Sequence, residues 1–179
     1  MNTIYLVGFM GCGKTSVGKL LSKQLEVPPY DVDSTVEKLR GKSIKEIFQS
    51  EGEDTFRNYE SLAIRQLPLE HAVVMTGGGA VVREENLSYM KDKGIVIYLK
   101  TSFPVLWNRL MNEEERKKRP MLLTRTKEEV QALFGERSKH YEKCDIEIVT
   151  DHFTTEEVCH QILEKLNRLN TKQLDKTKK

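Results

Sequence analysis

Hydrophobic positions along this chain follow two rhythms. Short, nearly continuous apolar runs occupy residues 3–7 (TIYLV), 72–76 (AVVMT), 94–99 (GIVIYL) and 145–149 (DIEIV), and longer stretches between them repeat apolar residues every three or four positions. Runs of that length read as strands. The first three are apolar almost throughout, which predicts strands covered on both faces of a parallel sheet, whereas the fourth alternates and is expected at an edge. A short strand over 30–32 completes a five-stranded sheet. Val17, Leu20, Leu21 and Leu25 form one helical stripe, and Val158, Ile162, Leu166 and Leu169 form another. Thr154 and Glu157 have capping-box spacing and predict where the last helix starts. With no internal repeat and no linker rich in Pro, Gly or Ser, the alternation predicts one α/β domain over residues 1–169, its helices layered on both sides of the sheet. The stretch 170–179 (NTKQLDKTKK) reads as a frayed, disordered tail.

Composition narrows the picture only a little. A chain of 179 residues is long enough for one core without staples, and a net charge of +2 with 31% charged residues demands neither a nucleic-acid nor a membrane partner. Cys12, Cys144 and Cys159 are odd in number and make no metal-spaced pair, which disfavours a disulfide framework and a zinc site and fits a reducing cytoplasm. MNTIYLVGF lacks the basic flank and sustained apolar run of a signal peptide, and no stretch approaches membrane-spanning length, so a soluble cytoplasmic protein is expected.

The chemistry enters with GFMGCGKTS at 8–16. It fits GxxxxGK(S/T) through Gly8, Gly13, Lys14 and Thr15, with an apolar strand before it and an amphipathic helix after it. Glycines let successive N–H groups point into one concavity, the helix adds its positive end, and Lys14 adds a charge, so the loop is read as a phosphate cradle. Gly11, Cys12, Gly13, Lys14, Thr15 and Ser16 are the candidate nucleotide contacts, with the Thr15 hydroxyl available to Mg²⁺. A guanine-reading (N/T)KxD is missing from the sequence, which disfavours a GTPase switch.

Other segments should converge on the cradle. Asp31 and Asp33 are expected at the end of the second strand, sharing one face, one for metal and one for an acceptor hydroxyl; the alternative is that Asp33 caps a helix starting near Ser34. Gly77, Gly78 and Gly79 follow the third apolar run, and three glycines suggest a ligand lying against the backbone. Arg57 and Arg137 fall in predicted helices whose inward face periodicity does not reveal. In NEEERKKRPMLL, Glu113–Lys117, Glu114–Lys118 and Glu115–Arg119 are favourable i, i+4 pairs of a solvated helix. Arg119 precedes Pro120, a breaking point where a lid could carry an arginine over a phosphate.

Taken together, GFMGCGKT, DVD, IFQSEGEDTFRNYE, TGGGA, KKRPML and ERSKHY resemble the shikimate kinase family, in this order and up to about residue 168. The resemblance implies a three-layer α/β/α P-loop kinase fold with a five-stranded parallel sheet in order 2-3-1-4-5, a mobile lid over about 112–124 and a shikimate-binding part over about 33–60. It implies transfer of the ATP γ-phosphoryl to the 3-hydroxyl of shikimate with Mg²⁺, in the chorismate pathway of aromatic biosynthesis, by a monomer whose partners are ATP and shikimate. It assigns Asp33 to the shikimate hydroxyls, Arg57 and Arg137 to its carboxylate, and Gly78 and Gly79 to its ring edge. Asp31 would hold a metal-bound water, Lys14 and Arg119 the transferring phosphoryl, and Arg109 in LWNRL the adenine. Where the family often reads RNPLY or RVPLY this chain has Arg137-Ser138-Lys139-His140-Tyr141, where it reads AD this chain has Cys144-Asp145, and Met121 stands where Leu is common. The first difference falls on the helix that carries Arg137. The rival readings are a kinase for gluconate or a nucleoside monophosphate, and a catalytically silent ATP-binding homologue.

Overall fold

A computed structural model describes residues 2–68, 70–112 and 125–176, with side chains to residue 169. Its strands are β1 (Thr3–Val7), β2 (Pro29–Asp31), β3 (Val73–Met75), β4 (Gly94–Lys100) and β5 (Ile146–Val149), all parallel, in the order β2-β3-β1-β4-β5. Every residue of β1 is buried. Successive side chains of a strand point to opposite faces, so helices must cover both sides of the sheet, and the three-layer expectation holds. The central strand β1 pairs with β3 at Ile4↔Val73 and with β4 at Ile4↔Ile95. The alternating run forms an edge strand, as its pattern predicts: in β5, Ile146 and Ile148 are buried while Val149 is 47% exposed.

The helices start and stop where local chemistry allows. Helix α1 (Lys14–Leu25) follows the glycine loop and turns Val17 and Leu21 into the core. Helix α2 (Val32–Arg40) ends at Gly41, α3 (Ile44–Ser50) opens on a Ser43/Glu46 capping box, and α4 (Glu53–Gln66) carries Glu53 and Asp54 in its first turn, against the positive end of the helix. A 3₁₀ turn (Ala80–Val82) and α5 (Glu84–Lys93) lead into β4, and α6 (Phe103–Leu110) leaves it. Helix α7 (Lys127–Tyr141) begins on a Thr126/Glu129 capping box, and α8 (Thr155–Lys176) begins on the predicted one, where Glu157 N donates to Thr154 Oγ1 at 3.2 Å. Helix α8 lies along α1, and the Cys159 thiol donates to the Val17 carbonyl between them at 3.6 Å.

The ends of β2, β3, β4 and β5 each fall within one residue of the sequence reading, and two differences have a clear local cause. The second strand is Pro29–Asp31 rather than 30–32, because the Asp31 carboxylate accepts from Ser34 N at 2.9 Å and starts α2 at Val32. The last helix continues to Lys176, across most of the stretch 170–179 read as a tail. Its residues TKQLDK contain no glycine or proline to stop it.

Each edge of the sheet is partly blocked to pairing by its own chemistry. Edge strand β2 opens with Pro29, which has no N–H to offer, and on β5 the Glu147 carbonyl accepts from the Lys165 ammonium of α8 at 2.6 Å. Burial should set the cost of truncation: Ile97→Ala, at 0% exposure in β4, should lose about 2–5 kcal/mol in urea unfolding. Val149→Ala should stay within about 0.5 kcal/mol of the parent chain.

Candidate active site

In an open parallel sheet, ligands bind beyond the carboxyl ends of the strands. Here the segments that leave β1, β2, β3 and β5 line one cavity of about 950 Å³: the loop from Met10 to Val17, Asp31 and Asp33, Thr76 to Gly78, and Thr150 with Phe153. Asn108 and Arg109 of α6 close another side. The cradle and both acids therefore share one space.

The loop is shaped by left-handed backbone, with φ of +82° at Gly11 and +98° at Gly13, the residue that opens α1. Lys14 Nζ donates to the carbonyls of Gly8 at 2.7 Å and Phe9 at 3.1 Å, so its ammonium is already held inside the loop. Thr15 and Ser16 line the cavity beside it. Arg109 Nη1 donates to the Gly11 carbonyl at 3.3 Å, which fixes this arginine on the rim of the same loop.

The acids sit differently from the sequence expectation. Asp31 and Asp33 do not share the face of a strand: Asp31 is the cap of α2, and Asp33 lies in the first turn of that helix. The cap that the alternative reading gave to Asp33 belongs to Asp31. A helix entered at Val32 still turns Asp33 towards the loop, so both acids reach the cavity by a different backbone route. Asp33 Oδ1 is buried and has no hydrogen-bond partner among the described residues. Burial, then Glu60 and Asp31, push its carboxyl up to about 7, against the opposing pull of Lys14 and Arg57.

The glycine turn draws the rest together. A Cβ on Gly79 would run into the Arg57 guanidinium, and one on Gly77 would meet Glu60 Oε1 and, at 2.8 Å, Asp33 Oδ1. Arg57 is held from both ends on α4, donating to Glu60 at 2.8 Å and to Glu53 at 3.0 Å. Burial pulls its pKa down, but Glu60 and Glu53 overcome this and leave it raised. Arg137, on α7, reaches Gly78 from another direction: a Cβ there would lie 3.5 Å from Arg137 Nη1. Burial, and then the charge of Arg57, push Arg137 below its usual range. Two mutually repelling guanidinium groups gathered at one backbone turn make a receptor for an anion. Neither arginine lines the cradle cavity itself; Arg137 borders it through Gly78, and Arg57 stands against Gly79, the next residue of the turn.

Arg119 and, from residue 113 onward, the lid expected over about 112–124 lie outside the described residues. Glu60 was missed by the sequence reading, although it stands one helical turn from Arg57; it is 0% exposed, and burial raises its carboxyl while Arg57 draws it back. Phe153, 44% exposed and lining the cavity, was missed as well. A lone aromatic in a turn carries no sequence signal. Among the described residues no three His, Cys, Asp or Glu cluster as a metal cage. A cation here would instead take one hydroxyl or carboxylate and keep water and phosphate oxygens, as Mg²⁺ does.

Strand, glycine loop, helix and convergent charges on this sheet define a P-loop, ATP-dependent phosphotransferase. The shikimate kinase family model matches residues 10–167. A shikimate kinase from Thermodesulfovibrio yellowstonii is 41% identical over 95% of this chain and 98% of its own. Crystal structures of the Aquifex aeolicus enzyme (TM-score 0.81, 40% identity, 92% of this chain and 96% of that one) and of the Acinetobacter baumannii enzyme in complex with shikimate (TM-score 0.86, 31% identity, 94% of each) share the fold. The chain belongs to the shikimate kinase family.

The raised Asp33 carboxyl has a consequence for stability. The native state binds its proton more tightly than the unfolded chain, so its contribution is fully present below the ordinary value of 3.8 and is lost as pH rises through about 7. Asp33→Asn should therefore melt at a higher temperature than the parent chain at about pH 8, with the advantage shrinking towards about pH 5 in scanning fluorimetry. Equal melting curves at both ends would contradict this.

Proposed function

We propose that this chain transfers the γ-phosphoryl group of ATP to the 3-hydroxyl of shikimate, releasing ADP and shikimate 3-phosphate. The observation that carries the reading, beside family membership, is the pair of guanidinium groups gathered at the glycine turn next to Asp33 and the phosphate cradle. A neutral acceptor has no use for them. A hydroxylated ring acid bound there places its carboxylate between Arg57 and Arg137, its ring edge on Gly78 and Gly79, and its hydroxyls towards Asp33. Charge-assisted forks orient a planar anion, so the arginines fix which hydroxyl faces ATP.

Asp33 accepts a hydrogen bond from the attacking hydroxyl and takes its proton as the new P–O bond forms and the bond to the ADP oxygen breaks. A base titrating near 7 suits that task at neutral pH. Lys14 stabilises charge on the transferring oxygens, joined by Arg119 through its place in KKRPML. Main-chain amides from Gly11 to Ser16 hold the phosphates, and Arg109 lies against the adenine. Thr15 and Asp31 would hold Mg²⁺, directly and through water respectively, and the fit is supported by their place on the cavity wall and by the Asp31 oxygen left over from capping. The ion would neutralise phosphate charge. No helix of the described residues is long and apolar enough to cross a membrane, and the three cysteines are free, which supports a reducing, cytoplasmic setting. A monomer suffices, since each proposed contact comes from one chain.

The decisive measurement is ADP release with Mg²⁺-ATP and, separately, shikimate, gluconate and nucleoside monophosphates. Release with shikimate alone is expected; release with another acceptor, or with none, would refute the proposal. Asp33→Asn should lower kcat by about 100- to 10,000-fold while leaving nucleotide affinity nearly unchanged. Arg57→Ala or Arg137→Ala should raise the shikimate KM about 10- to 100-fold with little change in the ATP KM.

A further inference from the structure

The proline and leucine of RNPLY are replaced here by Lys139 and His140, so the hold on Arg137 must come from elsewhere on its helix. Tyr141 stands one turn after Arg137, on the same face of α7. It is 1% exposed, its ring stacks on Tyr98 of β4 at 5.1 Å, and its phenol donates a hydrogen bond to the Gly78 carbonyl. Arg137 approaches the same glycine from the preceding turn. Gly78 is thus touched by two consecutive turns of α7, once through a phenol on its carbonyl and once beside a guanidinium.

We propose that Tyr141 is a positioning residue for the acceptor: its hydroxyl ties the glycine turn to α7 and thereby sets the spacing between that turn and Arg137. The stack on Tyr98 supplies the fixed point. Tyr98 belongs to a central strand buried on both faces, so the ring of Tyr141 cannot drift along the sheet. The hydroxyl alone reaches the turn. Without it the Gly78 carbonyl loses its partner on α7, and the turn is free to shift against Arg137 while the phosphate loop, built on β1 and α1, keeps its own hydrogen bonds. The role is separable from nucleotide binding for that reason.

The inference rests on the acceptor reading above, and steady-state kinetics can separate the two. Tyr141→Phe keeps the ring and its stack and removes only the hydroxyl. Its shikimate KM should rise about 3- to 10-fold, with the ATP KM within about 2-fold of the parent value. Tyr98→Phe removes a phenol that bonds Ser138 on α7 and does not reach Gly78, and it should raise the shikimate KM less than Tyr141→Phe does. In the Tyr141→Phe/Arg137→Lys double variant, the loss should be smaller than the product of the two single losses, because both act on one contact. An unaltered shikimate KM in Tyr141→Phe, an equal rise in the ATP KM, an equal effect of Tyr98→Phe, fully multiplicative losses, or a Tyr141→Phe chain without a cooperative unfolding transition would each overturn the inference. A parent chain that does not phosphorylate shikimate would instead overturn the acceptor reading itself.

Discussion

Around the turn at Gly77–Gly79, two carboxylates and two guanidinium groups are brought within reach of three residues that have no side chains. The missing atoms are what allow it, since a methyl group on Gly77 would occupy the space of Glu60 Oε1 and one on Gly79 that of the Arg57 guanidinium. Buried charges are tolerated only when each is compensated, and here the compensation is shared. Glu60 keeps Arg57 charged, Arg57 restrains the rise of the Asp33 carboxyl, and Arg57 and Arg137 repel each other. Removing Arg57 would leave Glu60, 0% exposed, without its partner in an interior that cannot solvate it. The turn is therefore a place of close approach where buried charges of both signs meet.

The rest of the site is arranged so that little needs to move when charge develops. Lys14 is bonded to the carbonyls of its own loop, Asp31 caps the helix that presents Asp33, and Arg109 is tied to Gly11. Groups fixed by the fold before a ligand arrives cost no reorganisation during the reaction. The same hydrogen bonds that begin the helices thus aim the functional side chains, and fold and site use one set of interactions.

How far the sequence reveals this arrangement depends on whether a residue's role is local. The three central strands were readable because their burial on both faces forces continuous apolar runs, and the edge strand because its exposure forces alternation. The phosphate loop was readable because its geometry is encoded within eight consecutive residues. Asp31 and Asp33 were assigned to the right place by the wrong backbone, since DVD fits a strand end and a helix start equally well until Ser34 N finds its acceptor. Arg57 and Arg137 came from the family resemblance alone: neither residue's neighbours in sequence say which side of its helix meets a turn made some twenty or sixty residues away. Glu60 and Tyr141 each stand one helical turn from an arginine, but that spacing does not show the glycine turn they meet.

Strands β2 and β5 bound the sheet, one entered through a proline and the other with a carbonyl already held by the Lys165 ammonium. A sheet grows by adding chains to bare amide and carbonyl rows, and both borders of this one lack part of the row a newcomer would need. Crowded molecules of this protein are accordingly hindered from zipping together into fibres, a safeguard supplied by one ring and one ammonium that the proposed chemistry does not use.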